Sequence, residues 1–489
     1  MSTDVRVDDS HSTEPAVRTV MVLWFGTILA VFAVMIIFGI TMRLEQSQTL
    51  EVGIPMFYAL MTMHGLGMVG ATFSAGLAMI WFITARYAKP NVALMRFSWG
   101  VFTLGALGLL AATLVGRFGA GWYALYPLPF QNPTWPQWSI GVAIISLMLL
   151  GVSWLVCQLD ILRALAGRYG ASKLLGWQYF SAAKPTEELP PSVLIVVICA
   201  AAGILGTLAG AATFVIYLFK WLAPQTNFDV LLLKNTMFLF GHVIVNLAMY
   251  CGIAAVYEFL PSYTKRSWSL NRVTVLAWNT TLIFILGAYF HHLYVDFAQP
   301  TALQYAGQIL SYLSAIPATA VTVFGVGSQV FGSGLRWTFT PLAFFLGILG
   351  WVIGGIAAVV DSTIAINQIF HNTLWVPAHF HTYFLVGFVF IMLGFAHRFV
   401  ASNAERLATG SLWAMVVGGY GFVLMFYLGG LSSVPRRYAN YGALSFGSIA
   451  ETGAHLALGG AVFAVIFLLG IIGFYVSLAK GRTTTPALK

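Results

Sequence analysis

The sequence predicts an all-α polytopic membrane protein of twelve transmembrane helices, and three observations carry that expectation. Hydrophobic residues make up 59% of the chain and charged residues only 8%, against about 25% charged in soluble domains. Apolar runs long enough to cross about 30 Å of hydrocarbon, roughly 20 residues each, recur from one end of the chain to the other. Aromatic residues reach 15%, with Trp and Tyr gathered at the ends of those runs as in interfacial belts.

The runs fall near 19–42, 57–85, 97–116, 138–161, 192–219, 235–260, 273–295, 305–331, 338–365, 374–396, 411–431 and 452–478. Residues 1–18 and 479–489 are then short cytoplasmic tails around one twelve-helix domain, 19–478. The first sixteen residues are polar and acidic, which argues against a cleaved signal peptide. With the N-terminus in the cytoplasm, only Arg43, Arg117, Lys220, Lys234, Arg436 and Arg437 face outward. The other 18 of the 24 basic residues face inward, Arg6, Lys184, Arg482 and Lys489 among them. That asymmetry is a positive-inside bias and explains a net charge of +9 without nucleic acid, for which a basic stripe would be needed. The 162–191 linker, with Pro185, Pro190 and Pro191, is expected to be the longest. Cys157, Cys199 and Cys251 all lie in apolar runs with no CxxC spacing, as inert core residues do.

Orientation turns scattered histidines into a constellation. His64 lies a few residues into the second span, His242 about two turns into the sixth, and His291–His292 close the seventh. His379 and His381 open the tenth, and all six fall in the outer part of the membrane. His371 stands just outside the tenth span. Ionisable residues at membrane depth are rare and usually functional. His379 and His381 are two residues apart, which on a helix turning about 100° per residue sends their rings to nearly opposite faces. They suit two separate planar cofactors flanking one helix.

Metal arithmetic sorts the six. Three imidazoles, His242 with His291 and His292, make an open site with room for an exogenous ligand and suit copper or zinc. His64 and His381 can bind one haem iron from both sides, while His379 holds a second haem from one side only. His11, His397 and His455 are read as bland.

The segments TMHGL (62–66), GHVIV (241–245), FHH (290–292), HNTLWVPAHFH (371–381) and VPRR (434–437) resemble subunit I of the haem-copper oxidase superfamily, closest to its B-type oxygen reductases. The resemblance implies a twelve-helix catalytic domain with two haems and one copper ion in a bacterial or archaeal cytoplasmic membrane. His64 and His381 would ligate a low-spin haem, His379 the high-spin haem, and His242, His291 and His292 the copper. Arg436 and Arg437 would pair with haem propionates, with His371 at the same level. Partners would be a cupredoxin-like or haem-bearing subunit II, cytochrome c or a similar donor, membrane lipid, and O₂ or NO as substrate.

The sequence also departs from that pattern. Where B-type oxygen reductases carry a tyrosine four residues after the copper histidine, this chain has Asn246, an amide that can hydrogen-bond a gas but cannot act as a redox-active phenol. After Pro317 the family's hydroxyl positions fall on Ala318 and Val321, although Thr319 and Thr322 remain; Tyr257 is kept, and its partner one turn earlier is Ile253. Proton-poor wiring without a phenol favours reduction of NO to N₂O, with O₂ reduction by a cytochrome c oxidase as the alternative. A haem subunit without activity is a third reading. A twelve-span transporter would show half-to-half repeats and interrupted helices; no convincing repeat is present, and the outer clustering of histidines would go unexplained.

Overall fold

The computed structural model describes residues 11–132, 134–181, 187–295, 299–444 and 447–480. Arg6, Lys184, Pro185, Arg482 and Lys489 of the charge and linker reading, and most of both tails, lie outside them.

Helices dominate the described residues: α1 (Pro15–Gln46), α2 (Ile54–Tyr87), α3 (Val92–Leu110), α4 (Gln137–Tyr169), α5 (Pro191–Leu222), α6 (Val230–Thr264) and α7 (Arg272–Phe284). They are followed by α8 (Thr301–Val330), α9 (Phe339–Asp361), the short α10 (Ile364–Phe370), α11 (Trp375–Tyr383), α12 (Val389–Val400), α13 (Glu405–Leu431) and α14 (Gly447–Lys480). Their starts follow local chemistry. The side chains of Asn91, Asp229 and Asn271 accept hydrogen bonds from the first free backbone N–H groups of α3, α6 and α7. Proline opens α1, α2 and α5, where its missing N–H costs no bond.

Eleven helical runs among the described residues are long and apolar enough to cross a membrane, one fewer than the sequence predicts. The difference lies at the seventh place. There α7 stops after 13 residues, the chain turns through Gly287, and a tight 3₁₀ segment, Ala288–Leu293, carries His291 and His292. The seventh place is thus taken by an interrupted helix, and an interruption alone does not mark a transporter. α11 and α12 are joined by a π turn, Phe384–Phe388, into one run.

Sequential helices pair as antiparallel neighbours, α1 with α2, α3 with α4, α5 with α6 and α13 with α14, and α14 returns against α1 to close the bundle. α2 and α6 form its centre; Leu247 to Val256 of α6 are buried without a break. α9 packs so tightly on the α11–α12 run that a Cβ on Gly350 would overlap the Val386 carbonyl, and one on Gly354 would stand 2.8 Å from the Tyr383 nitrogen. Only glycine permits that approach. The 162–191 linker is shorter than expected because α4 continues to Tyr169. The connection between α3 and α4 rivals it in length and is pinned: Gly121 N–H donates to Thr62 Oγ1 at 2.9 Å, and Tyr217 donates its hydroxyl to the Ala124 carbonyl at 2.8 Å.

At the end of the bundle away from the histidines, Glu258 is buried and held by Arg86, by both contacts of the Tyr87 hydroxyl at 3.0 Å, and by Ser192 at 2.5 Å. This ties α2, α5 and α6 together. Breaking a buried ion pair from one side leaves an uncompensated charge and costs about 3–5 kcal/mol. Glu258→Ala is expected to lower the melting temperature in detergent markedly, and Glu258→Gln, which keeps hydrogen-bonding capacity, to lower it less.

Candidate functional site

One cavity of about 600 Å³ lies among α2, α6, α8, α9, α11 and α13, and all six membrane-depth histidines line it, with Asn246, His371, Arg436 and Arg437. The sequence places these residues on separate spans, and tertiary packing brings them together.

At one side His64 on α2 faces His381 on α11. Their ring centres are 6.2 Å apart and their planes differ by 23°. Two imidazoles bound to opposite sides of one ion, each at about 2.0–2.1 Å with the ring centre roughly 1.2 Å beyond its nitrogen, stand about 6.4 Å apart. Each ring is aimed by its other nitrogen: His64 Nδ1–H donates to the Met35 carbonyl and His381 Nδ1–H to the Pro377 carbonyl, both at 2.7 Å. A proton fixed on Nδ1 leaves the Nε2 lone pair for the cavity. Gly39 makes room, because a Cβ there would sit 3.0 Å from His64 Cε1.

At the other side His242 on α6 meets the 3₁₀ segment. Nitrogens of His242, His291 and His292 lie within 4.8 Å of one another, and the His242 ring centre is 4.9 Å from that of His291 and 5.4 Å from that of His292. Two nitrogens on one ion stand no more than about 4.2 Å apart. Small side-chain rotations therefore bring all three onto a single centre. His291 Nδ1–H donates to Ser311 Oγ at 3.1 Å, and His292 stacks on Phe238. His379 stands on α11 two residues before His381, with Nδ1 3.4 Å from the Gly354 carbonyl.

Asn246 lies one turn below His242 on the same face, and its amide nitrogen is 3.2 Å from His242 Nδ1. The amide thus engages the histidine itself as well as the cavity.

The cavity's polar end is organised by a two-residue bridge between loops. Leu374 N–H donates to the Val434 carbonyl at 2.9 Å and Arg436 N–H to the Asn372 carbonyl at 3.0 Å, so the VPRR segment is registered against HNTLW. Arg437 takes a left-handed backbone, φ 69°, which a non-glycine residue adopts only when its surroundings hold it there. Its guanidinium lies 4.2 Å from the Tyr123 ring centre, and Tyr58 donates its hydroxyl to the Arg437 carbonyl at 3.1 Å. Burial and the neighbouring Arg437 push the Arg436 pKa down to about 10, and Arg436 Nε has no hydrogen-bond partner. Two guanidinium groups sheltered side by side call for an anion. Burial and Arg436 likewise push His371 down to about 4, and its Nε2–H donates to the His292 carbonyl at 3.2 Å.

The hydroxyl route is in two parts. Tyr257 and Thr322 are hydrogen-bonded at 3.2 Å, while Ser311, Ser314 and Thr319 line the cavity. Ile253 and Ala318 are buried between them, and no hydrogen bond among the described residues joins the parts.

Several cavity residues escaped the sequence reading. Tyr250, eight residues after His242 and therefore on its face, lines the cavity and donates its hydroxyl to the Ser314 carbonyl at 3.1 Å; helical spacing would have found it. Arg43 and Lys234 also line it, and an outward arginine or lysine directly flanking an apolar run was the available signal. Asp361, buried at the end of α9 outside the cavity lining, had none.

The family model for cytochrome c and quinol oxidase polypeptide I matches residues 19–466. The chain belongs to that family. It is an oxidoreductase and an integral membrane protein, and the transporter reading falls. Among its relatives, cytochrome c oxidase subunit 1 of Thermus thermophilus is 24% identical over 461 residues, covering 88% of this chain and 78% of that protein. Quinol oxidase subunit 1 of Sulfolobus acidocaldarius is 24% identical over 433 residues, covering 84% and 81%. The heme-copper oxidase subunit I+III of Aeropyrum pernix is 25% identical over 454 residues, covering 88% and 52%. A solved heme-copper terminal oxidase dimer shares the fold, with a TM-score of 0.73 at 18% identity over 98% of this chain and 86% of that one.

The three-imidazole group is expected to hold one copper or zinc ion per chain. His291→Ala should weaken that binding by roughly 100-fold or more, as elemental analysis after dialysis against a chelator would show.

Proposed function

We propose that this chain is the catalytic subunit of a haem–copper respiratory reductase that turns over a diatomic gas, with NO reduced to N₂O (2 NO + 2 H⁺ + 2 e⁻ → N₂O + H₂O). The observation that carries the choice of gas is Asn246, an amide in contact with His242 at the place where a phenol would serve O–O cleavage.

The residues fit the groups the family implies. His64 and His381 have the separation and near-parallel planes for opposite sides of one haem iron, and their fixed Nδ1 protons leave Nε2 as the donor. His379 would hold a second haem from one side. His242, His291 and His292, three imidazoles without a carboxylate beside them, suit copper. Arg436 and Arg437, with His371 beside them, would receive haem carboxylates, which answers the unpaired Arg436 Nε. When bound, the metals supply electrons and Lewis-acid contact to the gas.

The chain's own side chains do the rest. The Asn246 amide, tied to His242, presents a fixed dipole to a gas in the cavity and needs no reorganisation as charge develops. Ser311 orients His291 by accepting its Nδ1–H, and Thr319 and Ser314 offer hydroxyls at the cavity wall. No hydrogen bond among the described residues joins the Tyr257–Thr322 pair to this wall, in keeping with a reaction that cleaves no O–O bond.

By this reading the histidine end faces outward and both termini lie in the cytoplasm of a bacterial or archaeal cell, in keeping with the charge asymmetry. Electrons arrive from a cupredoxin-like or haem-bearing second subunit fed by cytochrome c or a similar donor. O₂ reduction is the second reading. It is favoured by the oxidase names of the relatives and by Tyr250, a phenol two turns below His242 in the same cavity.

Turnover of both gases on one preparation separates them. Rapid anaerobic NO consumption with N₂O release and slow O₂ uptake are expected; respiratory O₂ rates with NO untouched would reject the NO assignment. Asn246→Ala is expected to lower NO turnover by about 100-fold, as loss of a preorganised donor does, with metal content unchanged. Should Tyr250→Phe instead abolish O₂ turnover, the oxidase reading gains.

A further inference from the structure

Below the histidines, aromatic side chains form two connected groups of different chemistry. Between α2, α6 and α12 the rings in contact are phenylalanine: Phe82, Phe259, Phe395 and Phe399 meet at centre distances of 5.6 to 6.5 Å. Phenylalanine is the commonest aromatic residue of the chain, 38 against 20 Tyr and 15 Trp, so this group is what apolar packing alone selects. Between α6 and α7 the choice is reversed. Every ring of the connected series there is tyrosine or tryptophan.

That series begins in the cavity. Tyr250 of α6 and Trp351 of α9 both line it, with ring centres 6.2 Å apart. Tyr250 and Tyr257 are seven residues apart and so share one face of α6. Trp278 of α7 stands between them, edge-on to both, 5.4 Å from Tyr250 and 6.4 Å from Tyr257. In the loop between α6 and α7, Trp268 lies flat on Tyr257, with centres 3.9 Å apart and planes 22° from parallel. The backbone of α8 makes room for it, because a Cβ on Gly325 would overlap the Trp268 ring. Tyr250, Trp278 and Tyr257 are at most 3% exposed, whereas Trp268 is half-buried. The four rings thus run from the cavity wall to the end of the bundle away from the histidines.

Indole and phenol rings yield an electron to a strong oxidant, and the benzene ring of phenylalanine does not. The vacancy settles where a proton can leave. Trp278 Nε1 has no acceptor among the described residues, and Tyr250 donates its hydroxyl to a backbone carbonyl, that of Ser314, which is a poor base. Tyr257 is bonded only to the Thr322 hydroxyl. Trp268 is the first ring of the series within reach of water. We propose that these four rings carry oxidising equivalents out of the cavity, ending at Trp268, when a peroxide reacts at the metals in place of the proper gas. Hydrogen peroxide takes up two electrons and two protons, its O–O bond breaks, and two waters leave. One electron comes from the metal centre and one from Trp268, passed through Tyr257, Trp278 and Tyr250, which end unchanged. The Trp268 N–H bond breaks, its proton goes to water, and the second proton comes from water. The relay rests on the proposed function, because it needs a metal centre in the cavity, and it holds for either gas.

Purified holoenzyme with tetrapyrrole bands in its visible spectrum is treated anaerobically with hydrogen peroxide, without an electron donor. A preparation lacking those bands overturns the proposed function and this inference with it. Peptide mass spectrometry is expected to find oxygenated Trp268 ahead of Trp177 at 61% exposed and Trp413 at 49%, which dissolved peroxide reaches more easily. Rapid-freeze EPR is expected to show an indolyl radical. Trp278→Phe should abolish Trp268 oxidation while the visible spectrum and peroxide consumption are kept. If that buried replacement does not fold, Trp268→Phe serves: the indolyl signal is expected to give way to the phenoxyl signal of a tyrosine. Trp268 left intact while Trp177 and Trp413 are oxidised, Trp268 oxidation that survives Trp278→Phe, or an EPR signal unchanged in Trp268→Phe overturns the relay and leaves the proposed function standing.

Discussion

The structure depends on how imidazoles are kept satisfied and aimed inside an apolar bundle. A buried polar nitrogen without a partner costs about 1–3 kcal/mol, so each ring needs an anchor for one nitrogen before the other can serve a ligand. The backbone supplies it for His64 through Met35, for His381 through Pro377 and for His379 through Gly354, and a serine hydroxyl supplies it for His291. Those anchors fix the tautomer and the direction of each free lone pair.

Anchoring through backbone carbonyls demands that helices come close, and the close approaches are where glycines stand. Gly350 and Gly354 bring α9 onto the run that carries His379 and His381, and Gly39 lets α1 come up to the His64 ring. The π turn at Phe384–Phe388 follows directly below the two histidines, and a wider turn resets the register of everything after it. The seventh crossing gives up regular helix before His291 and His292, and the two ring centres are 4.2 Å apart. Adjacent residues diverge by about 100° on an α-helix and about 120° on a 3₁₀ helix, so side-chain rotation is what brings these rings together.

Charge is arranged with opposite logic at the two ends of the bundle. Away from the histidines, Glu258 is fully paired and joins three helices. At the histidine end, Arg436, His371, Asn367 and Asp361 each retain an unpartnered atom. Satisfied groups make a scaffold, whereas unsatisfied ones in a well-packed chain mark where something else binds or where charge changes. The left-handed Arg437, held over Tyr123, belongs with the second kind.

Composition and run length determined the membrane fold, because no other solvent tolerates so apolar a chain, and helical spacing with charge asymmetry put six histidines at one depth. Sequence also singled out Asn246, since a residue one turn from His242 must share its face. Tertiary structure decided what spacing cannot express: that the seventh crossing breaks before His291, that Asn246 touches His242, and that VPRR is registered against HNTLW through two backbone hydrogen bonds. Tyr250 is within reach of the same periodicity. Asp361 is not, because a lone acid at a helix end means something only once its neighbours are known. The physical reason is the same throughout: periodicity reports direction along one helix, while pairing, burial and the distance between rings on different helices exist only after packing.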